Sequence, residues 1–161
     1  MSKQTSQPVI KFADVSLQFS HKEIFDHLNL TINSGEKVVI FGKSGIGKSS
    51  LLKLILGFVR PDSGDVYILD KKVCSNHINW VRTKVAYVDQ DVMIGEGQVE
   101  DFINEYFSFQ ANQQLTVSRK KILSLMTEFE LPSTLLQQNI QELSGGERQR
   151  LALVIALLLK R

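Results

Sequence analysis

GKSGIGKS, residues 42–49, fits the pattern G-x-x-x-x-G-K-[ST] at every fixed position. It follows the continuous apolar run at 38–41 and precedes a helical pattern at 50–56, so the sequence predicts a buried strand, a glycine-rich loop and a helix. Glycines let successive backbone N–H groups converge on phosphate oxygens, and the N-terminus of the helix favours an anion. The stretch therefore predicts a phosphate-binding loop.

The residues of this loop differ in the chemistry they offer. Lys48 can reach the β- and γ-phosphates of a nucleotide, and Ser49 offers a hydroxyl ligand for Mg²⁺. A glycine-rich turn that binds nothing is the alternative interpretation, and the motif occurs in many classes of NTPase. The candidate ATP-binding residues of the loop are Gly42, Lys43, Ser44, Gly45, Ile46, Gly47, Lys48, Ser49 and Ser50.

A second glycine motif, LSGGE, occupies residues 143–147. Ser144 and Glu147 have the spacing of a capping box, which starts many helices and could by itself explain the motif. A cap does not need Gly145 and Gly146, however, and glycine is unfavourable in a first helical turn. Bare N–H groups beside a serine hydroxyl at a helix N-terminus favour a second anion site.

Composition limits the classes of protein to which the chain can belong. Its 161 residues are the size of one ordinary domain, and a hydrophobic content of 43% is enough for a core. The net charge of +2, carried by scattered basic residues, argues against nucleic-acid binding. A single cysteine, Cys74, excludes an internal disulfide, and the longest apolar run, at 151–159, is short for a membrane-spanning helix.

Periodicity predicts a strand-rich first part and a helical second part. Apolar runs and alternating patterns predict strands at 9–19, 28–32, 66–69 and 85–88. Spacings of three and four residues predict helices at 99–106, at 118–130 and from 144 onward.

From about residue 9 to residue 161, the chain resembles the ATP-binding subunits of ABC transporters. The resemblance rests on GKSGIGKSS and LSGGERQR in this order, with VAYVDQD at 85–91 between them. It implies an α/β fold of the P-loop NTPase class, ABC type, with an antiparallel β subdomain and a helical signature subdomain. The nucleotide-binding core and β subdomain would span about 1–93 and the helical subdomain about 94–161.

The resemblance also implies roles for individual residues. In that family the LSGGE helix completes the ATP site of a second subunit in a head-to-tail dimer. Gln90 matches the glutamine that senses Mg²⁺, and Phe19 matches the aromatic residue that stacks on adenine, usually tyrosine. A core phenylalanine on an early strand is the alternative interpretation of Phe19. The residues facing the partner's ATP would be Leu143, Ser144, Gly145, Gly146 and Glu147.

Partners and location follow from the same resemblance. It implies ATP and Mg²⁺ as cofactors, a second ATP-binding subunit, a transmembrane transporter subunit and a peripheral place on the cytoplasmic face of the cell membrane. Within the aromatic stretch at 101–109, Phe107 and Phe109 lie off the main apolar stripe and are the better candidates for docking onto the membrane subunit.

The family's motif of four apolar residues followed by Asp-Glu, and a later histidine, do not occur after LSGGE in the 161 residues. The stretches at 66–70 and 85–89 mimic it but precede Gln90 or lead into it. We therefore expect ATP binding with little or no turnover by the chain alone, an incomplete central sheet, and marginal stability or abnormal association. A non-catalytic nucleotide-binding or regulatory module and a soluble ABC-type ATPase are the alternatives.

Overall fold

The computed structural model describes residues 7–90, 92 and 95–161. These residues form two compact units, one ending at Lys84 and the other beginning at Val85. The assignment of a nucleotide-binding core and a signature subdomain, with its predicted boundary near residue 93, stays a prediction.

An antiparallel sheet dominates the first unit, with strand order β2-β1-β3-β4. Three of the predicted strands are confirmed, each with shifted ends. The strands are β1 (Pro8–Phe19), β2 (Lys22–Asn33), β3 (Ser63–Ile68) and β4 (Lys71–Lys72). Alternation along β1 buries Phe12, Val15 and Leu17, which form one side of the core of this unit.

A bulge in β1 explains why those buried positions are not evenly spaced. The register against β2 shifts between Phe12 and Val15, and Asp14 has a φ of 56°. Gly64 on β3 accommodates this bulge, because a Cβ there would lie 2.1 Å from the carbonyl oxygen of Asp14. Because the bulge adds one residue to β1, the side chain of Val15 faces the core as that of Phe12 does.

Helix α1 (Lys48–Ile55) follows the glycine-rich loop, as predicted. Its buried residues are Leu51, Leu54 and Ile55, which face the core. The helix ends before Gly57, whose φ of 66° reverses the chain as the sequence predicts. A second helix in this unit, α2 (Ile78–Arg82), is short and buries Val81.

The predicted strands at 38–41 and 85–88 are wrong. Neither stretch has strand pairing in the structure. The side chains of Val38, Val39, Ile40 and Phe41 are 49%, 69%, 42% and 86% exposed. A strand needs a neighbouring backbone to complete its hydrogen bonds, and among the described residues none lies beside 38–41. This apolar run is accordingly on the surface.

The second unit is helical. Helices α3 (Val99–Ser108), α4 (Arg119–Glu128) and α5 (Gly145–Leu158) confirm the three predicted helices. Short 3-10 turns at Ser133–Gln137 and Ile140–Glu142 connect α4 to α5. The core of this unit is one cluster drawn from all of these elements, and its most buried members are Val99, Ile103, Met126, Leu135, Leu136, Ile140, Leu151 and Val154.

The apolar run at 151–159 forms the C-terminal half of α5. Leu151, Val154 and Leu158 face the core, whereas Leu153 and Leu157 are exposed on the opposite side of the helix. Within the described part of the chain, no helix has both the length and the apolar character needed to cross a bilayer.

Candidate nucleotide-binding site

The loop at 42–47 has the backbone that its sequence predicts. Gly42, Gly45 and Gly47 have φ values of 154°, 76° and 110°, a region that side chains other than glycine rarely adopt. Helix α1 begins immediately afterwards, at Lys48. The first N–H groups of a helix have no partner within it, so this end of α1 is suited to an anion.

Lys48 folds back over the loop from the start of α1. Its Nζ donates hydrogen bonds to the carbonyl oxygens of Gly42 and Lys43, both at 2.8 Å. The ammonium group is therefore held at the loop backbone, on which the predicted phosphates would bind. Because carbonyl oxygens are neutral acceptors, a phosphate oxygen would be a stronger partner for this cation.

The turn of the β1–β2 hairpin packs against the same loop. Nζ of Lys22 donates to the carbonyl oxygen of Gly45 at 2.9 Å. Gly47 lies so close to β2 that a Cβ would be 2.5 Å from Cγ2 of Ile24. Phe19 pairs with Lys22 at the end of the hairpin, and its side chain is exposed rather than in the core. The structure thus joins the hairpin that carries Phe19 to the phosphate loop.

The remaining loop residues are accessible. Ser50 is half-buried, whereas Lys43, Ser44, Ile46 and Ser49 are exposed. Ser49 is the second residue of α1, so its hydroxyl is at the open end of the helix. Among the residues that the structure describes, no three His, Cys, Asp or Glu side chains are grouped to hold a metal ion.

The capping box at the start of α5 forms as predicted. Ser144 Oγ accepts from the N–H of Glu147, and the Glu147 carboxylate accepts from the N–H of Ser144 at 2.8 Å. The Ser144 hydroxyl also donates to this carboxylate at 2.6 Å. The hydrogen bonds from Ser144 hold the pKa of Glu147 below its ordinary value, and the bond from the hydroxyl has the largest effect. Leu143, just before the cap, is buried in the core.

The two glycines of this motif are not required by packing within the unit. A Cβ at Gly145 would meet nothing within 4 Å, and one at Gly146 would meet only the tip of Arg150 at 3.6 Å. Both residues are exposed. Glycine costs about 1 kcal/mol relative to alanine inside a helix, so their presence favours a close approach by something outside the unit.

Gln90 lies beside α5. Its backbone carbonyl oxygen accepts a hydrogen bond from Nε2 of Gln149 at 2.9 Å, and its N–H donates to the Asp89 carboxylate at 2.7 Å. The structure therefore brings the predicted Mg²⁺-sensing residue together with the signature helix. Ser49, the other predicted Mg²⁺ ligand, belongs to the first unit and Gln90 to the second.

Sequence reasoning missed Lys22 and Gln149. Their partners are 23 and 59 residues away in the chain, and neither residue belongs to a periodic pattern. The nearest signal for Lys22 is its place directly after the turn that follows Phe19. The nearest signal for Gln149 is the polar run RQR after LSGGE, but such a run is equally typical of an exposed helix face.

Comparison with known families identifies the fold that carries these two motifs. The family model described as ABC transporter matches residues 25–161, which include both of them. The chain belongs to the ABC transporter family. Within this family it is an ATP-binding domain, as the order of its motifs predicts.

Curated relatives match nearly the whole chain but are longer. Escherichia coli FetA, described as a probable iron export ATP-binding protein, is 30% identical over 94% of the chain and 66% of its own length. ABC transporter G family member 23 of Dictyostelium discoideum is 34% identical over 93% of the chain and 21% of its own length. The iron import ATP-binding protein FbpC 2 of Pectobacterium atrosepticum is 31% identical over 89% of the chain and 41% of its own length. The chain thus spans between about one fifth and two thirds of these relatives.

Solved structures confirm the fold class. CbiO1 from Clostridium perfringens, described as part of an ABC transporter complex, matches 95% of the chain with a TM-score of 0.75 and 20% identity. An ATP-binding subunit of an ABC transporter matches 94% with a TM-score of 0.79 and 23% identity. The chain covers 62% of each of these structures. The α/β fold of ABC type, with an antiparallel β part and a helical part, is confirmed.

Proposed function

We propose that this chain binds MgATP as an ATP-binding subunit that serves an ABC transporter. The observation that carries the proposal is the phosphate loop. Its three left-handed glycines, Gly42, Gly45 and Gly47, lead into α1, and Lys48 is held on the loop by two carbonyl oxygens. This arrangement places a cation and the open N-terminus of a helix at one small site.

Each residue of the site has a distinct part in binding. Lys48 exchanges its two carbonyl partners for oxygens of the β- and γ-phosphates, which form stronger, charge-assisted hydrogen bonds. Ser49 supplies a hydroxyl ligand to Mg²⁺ at the start of α1. Phe19 offers an exposed ring for stacking on adenine, and Lys22 keeps its hairpin against the loop.

The signature motif serves the ATP site of a second subunit in a head-to-tail dimer. Ser144 and the unobstructed backbone of Gly145 and Gly146 present a hydroxyl and N–H groups at the start of α5. A γ-phosphate approaching from the partner could reach them without a clash. Glu147 supports this surface through the cap, and Gln90 contributes to the Mg²⁺ site.

Hydrolysis needs carboxylates that the 161 residues do not supply at the family's position. Holding Mg²⁺ and orienting the attacking water both depend on acidic side chains in P-loop NTPases. Because the Asp-Glu motif does not occur after LSGGE, the chain alone binds MgATP with little or no turnover. Association with a membrane subunit on the cytoplasmic side completes the proposed role. Of the two candidate docking residues, Phe109 is exposed, whereas Phe107 is half-buried against the helical core.

Competition binding tests this proposal directly. A fluorescent ATP analogue is bound to the purified chain in Mg²⁺ and displaced with ATP or with AMP. ATP should displace it at least about tenfold more effectively, because AMP lacks the β- and γ-phosphates that Lys48 is proposed to contact. Equal displacement by AMP would show that the loop is not the binding site. Phosphate release measured in parallel should stay at the background level.

A further inference from the structure

The hydrogen bond from Gln149 to Gln90 joins two parts of the second unit that are 59 residues apart in the chain. Gln149 lies five residues after Ser144, about one and a half turns into α5. Its amide nitrogen is 2.9 Å from the carbonyl oxygen of Gln90. The segment that ends at Gln90 is thereby attached to the helix that carries the signature motif.

The chemistry of this bond leaves the side chain of Gln90 available. The acceptor is the backbone oxygen of Gln90, so the bond does not depend on its carboxamide. The N–H of the same residue is taken by Asp89. Both backbone groups of Gln90 are therefore fixed, whereas its exposed side chain can take a ligand.

Helix α5 is a rigid support for this attachment. The capping box fixes its first turn, and Leu151, Val154 and Leu158 anchor its inner face in the core. Ser144 and Gln149 belong to the same short helical segment, so a displacement of one displaces the other. Gln90 is consequently positioned relative to the signature residues by a single side chain.

We propose that Gln149 is a positioning residue, which holds the backbone of Gln90 on the signature helix so that the Gln90 side chain is presented to Mg²⁺-nucleotide. The inference rests on the proposed function, because it assigns Gln149 to the Mg²⁺ site of that function. It also makes Gln90 and the Ser144 end of α5 move together.

Two substitutions of Gln149 separate hydrogen bonding from size. Gln149→Glu keeps the shape of the side chain but loses the N–H donor, whereas Gln149→Lys keeps a donor. Gln141→Glu is the matched control, since Gln141 is an exposed glutamine of the same unit on a 3-10 turn. The two Glu variants change the charge by the same amount, whereas Gln149→Lys changes it in the opposite direction.

Amide hydrogen exchange without nucleotide tests the attachment. Gln149→Glu should speed exchange of the Gln90 N–H, which donates to Asp89 beside the attachment, by roughly threefold to tenfold, the effect of losing one hydrogen bond. Gln149→Lys and Gln141→Glu should exchange as the original chain does. Equal exchange in Gln149→Glu and the original chain, or equal acceleration in Gln149→Lys, would overturn the proposal.

ATP affinity with and without Mg²⁺ tests the positioning role. Gln149→Glu should weaken ATP binding by about tenfold in Mg²⁺ and leave binding in EDTA unchanged, since a displaced outer-shell group affects only the metal-bound state. A purely structural role would weaken both or neither, and either result would overturn the proposal. If the original chain shows no Mg²⁺-dependent ATP binding, the proposed function fails, and the exchange experiment still decides whether Gln149 holds the loop.

Discussion

At the scale of single residues, the glycines of the two motifs are present for different physical reasons. Gly47 has a φ of 110° and lies against Ile24, so both its backbone and its surroundings exclude a side chain. Gly145 is helical and has open space where a Cβ would be. The loop therefore needs glycine in order to fold, whereas packing within the second unit does not require glycine in the signature motif.

Substitution by alanine should separate these two reasons. Gly145→Ala should raise the free energy of unfolding by up to about 1 kcal/mol, because alanine is the better helix former. Gly47→Ala, the matched contrast, should lower it by about 2 kcal/mol or more through strain and the contact with Ile24. Urea unfolding followed by circular dichroism measures both, and a loss of stability in Gly145→Ala would contradict this account.

Some residues of the candidate site can be predicted from the sequence, and others cannot. Lys48 was predicted because its motif is local and its chemistry is defined by the neighbouring glycines. Lys22 and Gln149 were missed because each is a lone polar residue whose partner comes from a distant part of the chain. A side chain that bonds to a backbone carbonyl leaves no trace in the spacing of residue types.

At the scale of elements, the helices and the antiparallel strands could be predicted, and two strands could not. Helices α3, α4 and α5 close their own hydrogen bonds, so their periodicity and caps are sufficient signals. The runs at 38–41 and 85–88 are apolar, but a strand forms only where another backbone pairs with it. An apolar pattern indicates which side chains a segment would bury, but it does not indicate whether another strand is present to pair with that segment.

The capping box of α5 should make stability depend on pH. The pKa of Glu147 is lowered from 4.5 by its hydrogen bonds with Ser144, so the stabilisation is complete above that value and is lost as the pH falls through the lowered pKa. The stability difference between the original chain and Glu147→Gln should therefore shrink as the pH falls below about 4.5.

Urea unfolding of the original chain and of Glu147→Gln at a series of acidic pH values measures this difference in stability. His27, whose pKa is raised mainly by its hydrogen bond with Asp14, titrates in both chains, so its contribution cancels in the difference. A difference in stability that is the same at every pH would show that the charge of Glu147 does not contribute to the cap.

At the scale of the whole molecule, the order of a strand-rich part and a helical part could be read from periodicity alone. The structure places the division between Lys84 and Val85. The central sheet is predicted to be incomplete, and the run at 38–41 has no strand partner among the described residues. The relatives and solved structures that match the chain extend well beyond its length.

The exposed run at 38–41 should promote association of this chain with itself. Phe41→Ser should reduce self-association in sedimentation velocity and change the free energy of unfolding by less than about 0.5 kcal/mol, because the Phe41 side chain is 86% exposed. Phe12→Ser is the contrast, since Phe12 is 1% exposed and its replacement should unfold the first unit. Strong destabilisation by Phe41→Ser would contradict the exposure of this run.

Binding of the phosphates of ATP by the loop at 42–49 through Lys48 is tested most directly by equilibrium binding of ATP. Lys48→Ala is compared with Lys53→Ala, which removes an exposed lysine from the same helix. Lys48→Ala should weaken ATP binding in Mg²⁺ by at least about tenfold, the loss of two charge-assisted hydrogen bonds, while Lys53→Ala should change it by less than about twofold. Equal affinities for the original chain and Lys48→Ala would contradict this role of Lys48.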